Sequence, residues 1–103
     1  MRAHIGFPIF WSGNHGGCNV AGGLDLDPVP VVGDHVALLA PGEPLPHVGF
    51  SGLLRVEQRT VHAGRAGAAG AVHLLLEPIV VGTEVQAQML RQYLERVFGL
   101  AAD

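Results

Sequence analysis

The chain has 103 residues, of which 49% are hydrophobic and 15% charged, and its formal net charge is −3. This length suits a single domain, residues 1–103, and the apolar composition argues against disorder of the whole chain. All six basic residues are arginines that form no concentrated cluster, so nucleic acid is not an expected partner. The apolar balance is high for so small a domain, and we expect a homo-oligomer in which a second copy covers part of the surface.

Signals for export or membrane insertion are absent from the sequence. The single cysteine excludes an internal disulfide and fits a reducing compartment. No apolar run approaches the roughly 18 residues that a membrane span requires. Residues 1–11 are too short and too interrupted to read as a signal peptide. The sequence therefore predicts a cytoplasmic protein with no membrane partner.

The beginning of the sequence predicts a strand followed by a loop. Residues 4–11 alternate, with every second position apolar, which is the pattern of a strand with one buried face. Pro8 cannot donate a backbone hydrogen bond, so it places this strand at a sheet edge or at a bulge. Residues 12–19 then read as a polar loop that is rich in glycine.

The middle of the sequence predicts extended segments separated by turns. Residues 24–32 read as extended chain, and Gly33 with Asp34 can form a tight turn that leads into a strand at residues 35–39. Residues 40–51 contain three prolines and are predicted to form a loop. Two further strands are expected at residues 53–62 and 71–81, both of which alternate between core-facing and outward-facing positions.

The pairing of these last two strands can be predicted from their side chains. Core residues must oppose core residues, which leaves only registers that differ by two. We favour the register that places Arg55 opposite Glu77, because the next one would oppose two glutamates. In the same register Arg59 lies opposite His73. Two arginines on one strand face could clamp a carboxylate or a phosphate, although alternating charge along a solvated strand explains the same pattern.

The C-terminal segment predicts a capped amphipathic helix at about residues 83–98. Thr83 and Gln86 have the spacing of a capping box, and Gly99 stands where a helix would end. Apolar residues recur at three- and four-residue spacing, so this stripe must pack on a sheet or on a second copy of the chain. Aromatic residues and methionine are common at subunit interfaces, so we expect one edge of the stripe to contact a neighbouring subunit, through Met89, Tyr93 and Val97.

These elements predict an α+β fold, an antiparallel β-roll or small open barrel of four to five strands with one C-terminal helix. The layout of Pro30–Val36, residues 54–59 and residues 72–76 resembles that of small uncharacterised bacterial proteins carried on integron-type mobile gene cassettes. The resemblance covers about residues 24–80 and implies a compact oligomer. It carries over no catalytic residue.

The glycine-rich loop is the first candidate for chemistry. Glycines expose backbone N–H groups that can cradle an anion, and Cys18, three residues after His15, could act as a nucleophile if a neighbouring base activated it. The alternative is a flexible loop whose cysteine packs as a small hydrophobe. No third orienting residue is identifiable, so we assign no catalytic residue. A small enzyme that uses His15 and Cys18, with or without a metal, is the rival interpretation.

A native metal or cofactor is not expected. The six histidines are scattered along the chain, whereas zinc ligands usually include some at short spacing. Only His15 and Cys18 are close enough to suggest a pair, and His35 is the third position at which we would look for a ligand.

The function that the sequence predicts is a homo-oligomeric binding or interaction module. Its partners would be a second copy of itself and either a small molecule or another protein. A small-molecule pocket is expected near the glycine-rich loop. The residues expected to contact that ligand are Trp11, Asn14, His15, Cys18, Asp34, His35, Arg55 and Arg59.

Overall fold

A computed structural model describes residues 2–11, 16–46, 49–64 and 70–102 of the chain. It has an α+β fold with a seven-stranded open sheet and one C-terminal helix. The predicted class is therefore confirmed, the predicted closure into a roll or barrel is not, and the sheet has more strands than the four to five expected. The elements in chain order are β1 (Arg2–Trp11), β2 (Gly16–Asp25), β3 (His35–Ala37), β4 (Leu53–His62), β5 (Ala71–Leu76), β6 (Ile79–Val81), α1 (Glu84–Phe98) and β7 (Ala101–Ala102).

The strand order is β3-β4-β5-β1-β2-β7, with β6 also paired to β1. Neighbours pair antiparallel except at β1, where β5 and β6 both run parallel to it. The expected all-antiparallel sheet is therefore wrong at its centre. The continuous strand expected at residues 71–81 is also wrong, because Glu77 and Pro78 separate β5 from β6. Pro78 has no N–H to donate to a ladder, which accounts for the break.

Strand β2 begins at Gly16, so residues 16–19 belong to the sheet and not to the predicted loop. Its glycines leave room for side chains of β1 to lie across it. A Cβ atom at Gly17 would lie 2.7 Å from the Phe10 ring, and one at Gly23 would lie 2.8 Å from Nε of Arg2. Glycine within a strand often marks such a close approach, and this is the signal that the loop interpretation overlooked.

The connection between β2 and β4 contains less strand than expected. Strand β2 ends at Asp25, so most of the extended segment predicted at residues 24–32 lies outside the sheet. The predicted strand at residues 35–39 is shortened to β3. A tight turn precedes it as predicted, but its central residues are Val32 and Gly33 and not Gly33 and Asp34: Gly33 has a positive φ of 97°, and the backbone N–H of Asp34 donates to the carbonyl oxygen of Val31 at 3.0 Å.

The pairing of β4 with β5 begins in the predicted register. The backbone N–H of Arg55 donates to Oε1 of Glu77, and the backbone N–H of Glu77 donates to the carbonyl oxygen of Arg55, each at 2.9 Å. Next along the ladder, Val56 lies opposite Leu76. The bounds of β4 itself, residues 53–62, agree with the prediction.

A β-bulge between Val56 and Gln58 then shifts the register by one residue. Thr60, not Arg59, lies opposite His73, so that part of the prediction is wrong. The physical reason is that a bulge places two residues of one strand against one of the other, which exchanges the faces of every residue beyond it.

The helix α1 packs on one face of the sheet and forms the core with it. The capping box is confirmed, since the Thr83 hydroxyl accepts from the backbone N–H of Gln86 at 3.2 Å and Oε1 of Gln86 accepts from the backbone N–H of Thr83 at 3.1 Å. Gly99 ends the helix in the left-handed conformation. Among the described residues, no helix is long and apolar enough to cross a membrane.

In β1 and β5, side chains alternate between the two faces of the sheet. Along β1, the odd-numbered positions Ala3, Ile5, Phe7 and Ile9 are buried under the helix side, while the even-numbered positions are exposed or half-buried. Strand β5 shows the same alternation. We call the side that the helix packs against the covered face, and the opposite side of β4, β5, β1 and β2 the open face.

Candidate functional site

A shallow depression of about 450 Å³ lies on the open face. Residues of β4, β5 and β1 surround it. The surface is depressed at Gly6 and Ala21, whose side chains are small or absent. The side chains and backbone around it belong to His4, Ile5, Gly6, Ala21, Gln58, Thr60, His73, Leu74 and Leu75. None of these residues carries a carboxylate, so the described lining is neutral or basic.

Three histidines from three adjacent strands meet beside this depression. His4 of β1 lies directly beside His73 of β5 in the parallel ladder, and their rings stack with centroids 5.2 Å apart. The ring of His62, from β4, meets His73 edge-on with centroids 4.5 Å apart. The bulge in β4 contributes to this cluster, because it turns His62 toward the same face as Thr60.

One cation lies close to the histidines on the open face, because the guanidinium of Arg2 crosses Gly23, which pairs with His4. Among the residues of β1, β2 and β5 that alternate onto this face, only Arg2 and Asp25 are charged. These two lie directly opposite each other across β1 and β2. An acidic and a basic group at the same position leave this part of the surface without a net charge.

The same face exposes large apolar side chains. Leu75 is 46% exposed, Phe10 is 45% exposed and Val80 is 66% exposed. Phe10 and Val80 are neighbours in the β1–β6 ladder, and Leu75 lies beside Gly6 in the β1–β5 ladder. Exposed apolar groups that share one face, rather than being scattered singly, are typical of an interaction surface.

Among the described residues, those expected to line a pocket near the glycine-rich loop do not gather at this depression. Asn14 and His15 lie outside the described residues. Trp11 and Cys18 lie at the far end of β1 and β2 on the covered face, where both are half-buried against the core. Cys18 is opposite Ile9, as expected for a cysteine that packs as a small hydrophobe.

The other expected ligand residues lie at the opposite edge of the sheet. Asp34 shapes the turn before β3, because its Oδ2 accepts from the backbone N–H of Val31 at 3.0 Å. His35 pairs with Arg55 across β3 and β4. Arg59 is separated from Arg55 by the bulge and alternates onto the other face. The two arginines therefore do not share a face, and the clamp that the sequence left open as an alternative is wrong.

The helix edge expected at a subunit interface is largely part of the core. Tyr93 is 2% exposed, and its hydroxyl donates to the carbonyl oxygen of Leu38 at 2.9 Å. Val97 is half-buried against the core. Only Met89 of the three is well exposed, at the rim of a groove of about 360 Å³ with Pro44 and Pro46. Tyr93 is unavailable to a neighbouring subunit because it is used to hold the helix in place.

The histidine cluster was not identified from the sequence, because His4, His62 and His73 are far apart along the chain. One signal was available. The alternation of buried and exposed residues in β1 and β5 was predicted correctly, and it places both His4 and His73 on outward-facing positions. The sequence does not indicate that β1 and β5 pair in parallel, because these strands come from distant segments of the chain.

No family model, curated protein or solved structure matches this chain. The relation to integron-type cassette proteins consequently stays a prediction.

Proposed function

We propose that the protein is a non-catalytic interaction module that pairs with a second copy of itself through the open face. The observation that carries this proposal is the composition of that face. Along β1, β2 and β5 it has small, aromatic, aliphatic and imidazole side chains with one opposed pair of charges at the strand ends, and the exposed Arg55 of β4 adds one further charge. The centre of a protein interface is depleted of charged residues in the same way. We place this association in the cytoplasm, in keeping with the single cysteine.

The size of the open face supports pairing of two copies. The ten-residue strands β1, β2 and β4 are roughly 30 Å long and the six-residue β5 is roughly 20 Å long, so at a spacing of about 4.8 Å they present a face of about 530 Å² in projection. The accessible area is larger than the projection because the side chains corrugate the surface. A stable interface of standard size buries about 800 Å² on each partner. The face is therefore large enough for a dimer without involving the helix.

The shape of the face supports a second copy as the occupant. A symmetric dimer uses the same patch on both partners, so the patch must contain both hollows and projections. Gly6 and Ala21 form the low part of the open face, and Leu75 and Phe10 supply exposed side chains on it. The opposite signs of Arg2 and Asp25 also leave no net charge there to repel an identical surface.

The decisive experiment compares two glutamate substitutions by sedimentation velocity. Leu75→Glu places a charge at the proposed interface, while the control Val85→Glu places one on the helix, at a residue that is 66% exposed. We expect a dimer for the wild type and the control and a monomer for Leu75→Glu, with circular dichroism spectra unchanged. A charge buried without a partner costs several kcal/mol, more than most weak dimers can tolerate.

Two outcomes would overturn the proposal. One is a wild-type protein that stays monomeric at the highest concentration that can be reached. The other is a dimer that survives Leu75→Glu. A third variant, Met89→Glu, tests the helix edge directly, and dissociation by that substitution alone would place the interface on the helix.

A further inference from the structure

We infer that two copies of the chain build a binding site for a d-block divalent cation of the zinc type, with His4 and His73 of each copy as ligands. This inference rests on the proposed pairing through the open face. It assigns that face a ligand, which the composition of the face alone does not do.

The parallel pairing of β1 with β5 places the imidazoles of His4 and His73 side by side. His4 and His73 occupy directly neighbouring positions in the parallel β1–β5 ladder, and both are exposed. Their ring centroids are 5.2 Å apart, with the ring planes 29° from parallel. Both side chains therefore leave the sheet from adjacent backbone positions with similar orientation. His62 contacts the ring of His73 edge-on and acts as a positioning residue that limits its rotation.

One chain supplies too few ligands for a closed site. Among the described residues, no group of three histidine, cysteine, aspartate or glutamate side chains is arranged to hold a metal ion. A structural zinc ion almost always has four ligands in tetrahedral geometry. The pair on one copy is therefore half of such a set, and an identical pair on a facing copy completes it.

The position of the pair suits a site on a two-fold axis. Strands β1 and β5 are flanked by β2 on one side and β4 on the other, so the pair is central across the strands; along β1 it lies toward the start, since His4 is the third of ten residues. In a symmetric dimer, residues near the axis meet their own counterparts. Two copies that pair face to face about this centre bring four imidazoles together.

The chemistry of the pair selects the class of cation. Imidazole nitrogen suits zinc, copper and nickel, whereas calcium and magnesium require oxygen ligands. The lining of the depression includes no carboxylate, and its oxygen-bearing side chains are those of Thr60 and Gln58. The site is therefore expected to discriminate strongly against calcium and magnesium.

The test titrates metal-depleted full-length protein with zinc chloride by isothermal titration calorimetry, and measures molar mass by light scattering at each ratio. We expect saturation at half an equivalent of zinc per chain and a tighter dimer when zinc is present. His73→Ala should weaken zinc binding by about 100-fold or more, since even supporting groups around a metal contribute 10- to 100-fold. The matched control is His35→Ala, which removes an exposed histidine at the sheet edge and should bind zinc as the wild type does.

The outcomes separate this inference from the proposed function. A dimer that forms without zinc and shows no zinc binding overturns the inference and leaves the pairing intact. Saturation at one zinc per chain, or an affinity unaffected by His73→Ala, also overturns it. A protein that is monomeric with and without zinc overturns both. A cobalt-substituted sample adds a spectroscopic check, because tetrahedral cobalt absorbs visible light intensely whereas octahedral cobalt does so only weakly.

Discussion

The covered face and the open face of the sheet are made from the same strands but differ in the types of side chain that they carry. On the covered face, β1 and β5 contribute only aliphatic and aromatic residues, all of them buried except the half-buried Trp11. On the open face, the alternate positions of the same strands carry His4, Gly6, Phe10, His73 and Leu75. A sheet face that meets only water usually reads as polar and charged. The open face therefore differs from both a core and an ordinary solvated surface.

The outer side of the helix shows what an ordinary solvated surface looks like in this protein. Its side chains include Gln88, Arg91, Gln92 and Glu95, which are polar or charged, beside the two exposed apolar residues Val85 and Met89. The outer side of the helix thus carries charged and amide side chains, whereas the open face along β1, β2 and β5 has only Arg2 and Asp25 as charged residues. This contrast is why we assign the open face, and not the helix, to self-association.

The largest expected effect comes from truncating neighbouring leucines that point to opposite faces of β5. Leu76 is 1% exposed on the covered face, and Leu76→Ala should lower the free energy of unfolding by about 2–5 kcal/mol because it leaves a cavity. Leu75→Ala, on the open face, should lower it by less than about 1 kcal/mol in dilute protein. Urea denaturation at low concentration measures both. Equal losses would contradict the division into two faces.

A second comparison adds a methyl group to a glycine on each face. A Cβ at Gly22 would lie 2.8 Å from Cδ2 of Leu100 on the covered face, so Gly22→Ala should cost about 1–3 kcal/mol of stability. A Cβ at Gly6, on the open face, meets only the carbonyl oxygen of Val20 at 3.8 Å. Gly6→Ala should therefore leave the unfolding free energy nearly unchanged, while filling the low part of the proposed interface. Thermal melts compare the two directly, and a larger loss for Gly6→Ala would reverse the assignment.

A third substitution tests whether the helix edge belongs to the core. Tyr93→Phe removes the hydroxyl that donates to the carbonyl oxygen of Leu38 and leaves that buried acceptor without its partner. We expect a loss of about 1–2 kcal/mol in chemical denaturation and no change in molar mass. If dissociation of the dimer were the main effect, Tyr93 would be an interface residue after all.

The smallest effect is expected at the ion pair between the helix and the loop before β4. Nη1 of Arg96 lies 2.9 Å from Oε2 of Glu43, and both side chains are substantially exposed. Exposed ion pairs are typically worth less than about 1 kcal/mol, so Arg96→Ala should change stability only slightly. The same denaturation assay checks it, and a loss as large as that of Leu76→Ala would show that the helix is held by electrostatics instead of by packing.

The parts of the fold that could be predicted are those that local pattern determines. The capping box of α1 and the bounds of β4 follow from short-range signals, and both are confirmed. The bulge before Gln58 could not be predicted, because the residue that it adds between Val56 and Gln58 is of a type common in a regular exposed strand. Its consequence was large, since it moved Arg59 away from the face of Arg55 and turned Thr60 toward His73.

The candidate site was missed because long-range pairing creates it. His4 and His73 are brought together only by the parallel ladder between β1 and β5, which no local pattern encodes. The glycine-rich segment drew attention to Cys18, where composition suggested a loop. In the structure, glycines of β2 instead accommodate side chains from β1, as Gly17 does for Phe10. Residues chosen by type and spacing, such as Asp34, proved to shape turns.

The measurement that tests the central claim most directly is sedimentation equilibrium of the wild type beside Leu75→Glu over a wide concentration range. We expect the wild type to fit a monomer–dimer equilibrium and the variant to stay monomeric with an unchanged circular dichroism spectrum. A wild type that remains monomeric throughout, or a variant with the same dimer dissociation constant as the wild type, would contradict the assignment of the open face to self-association.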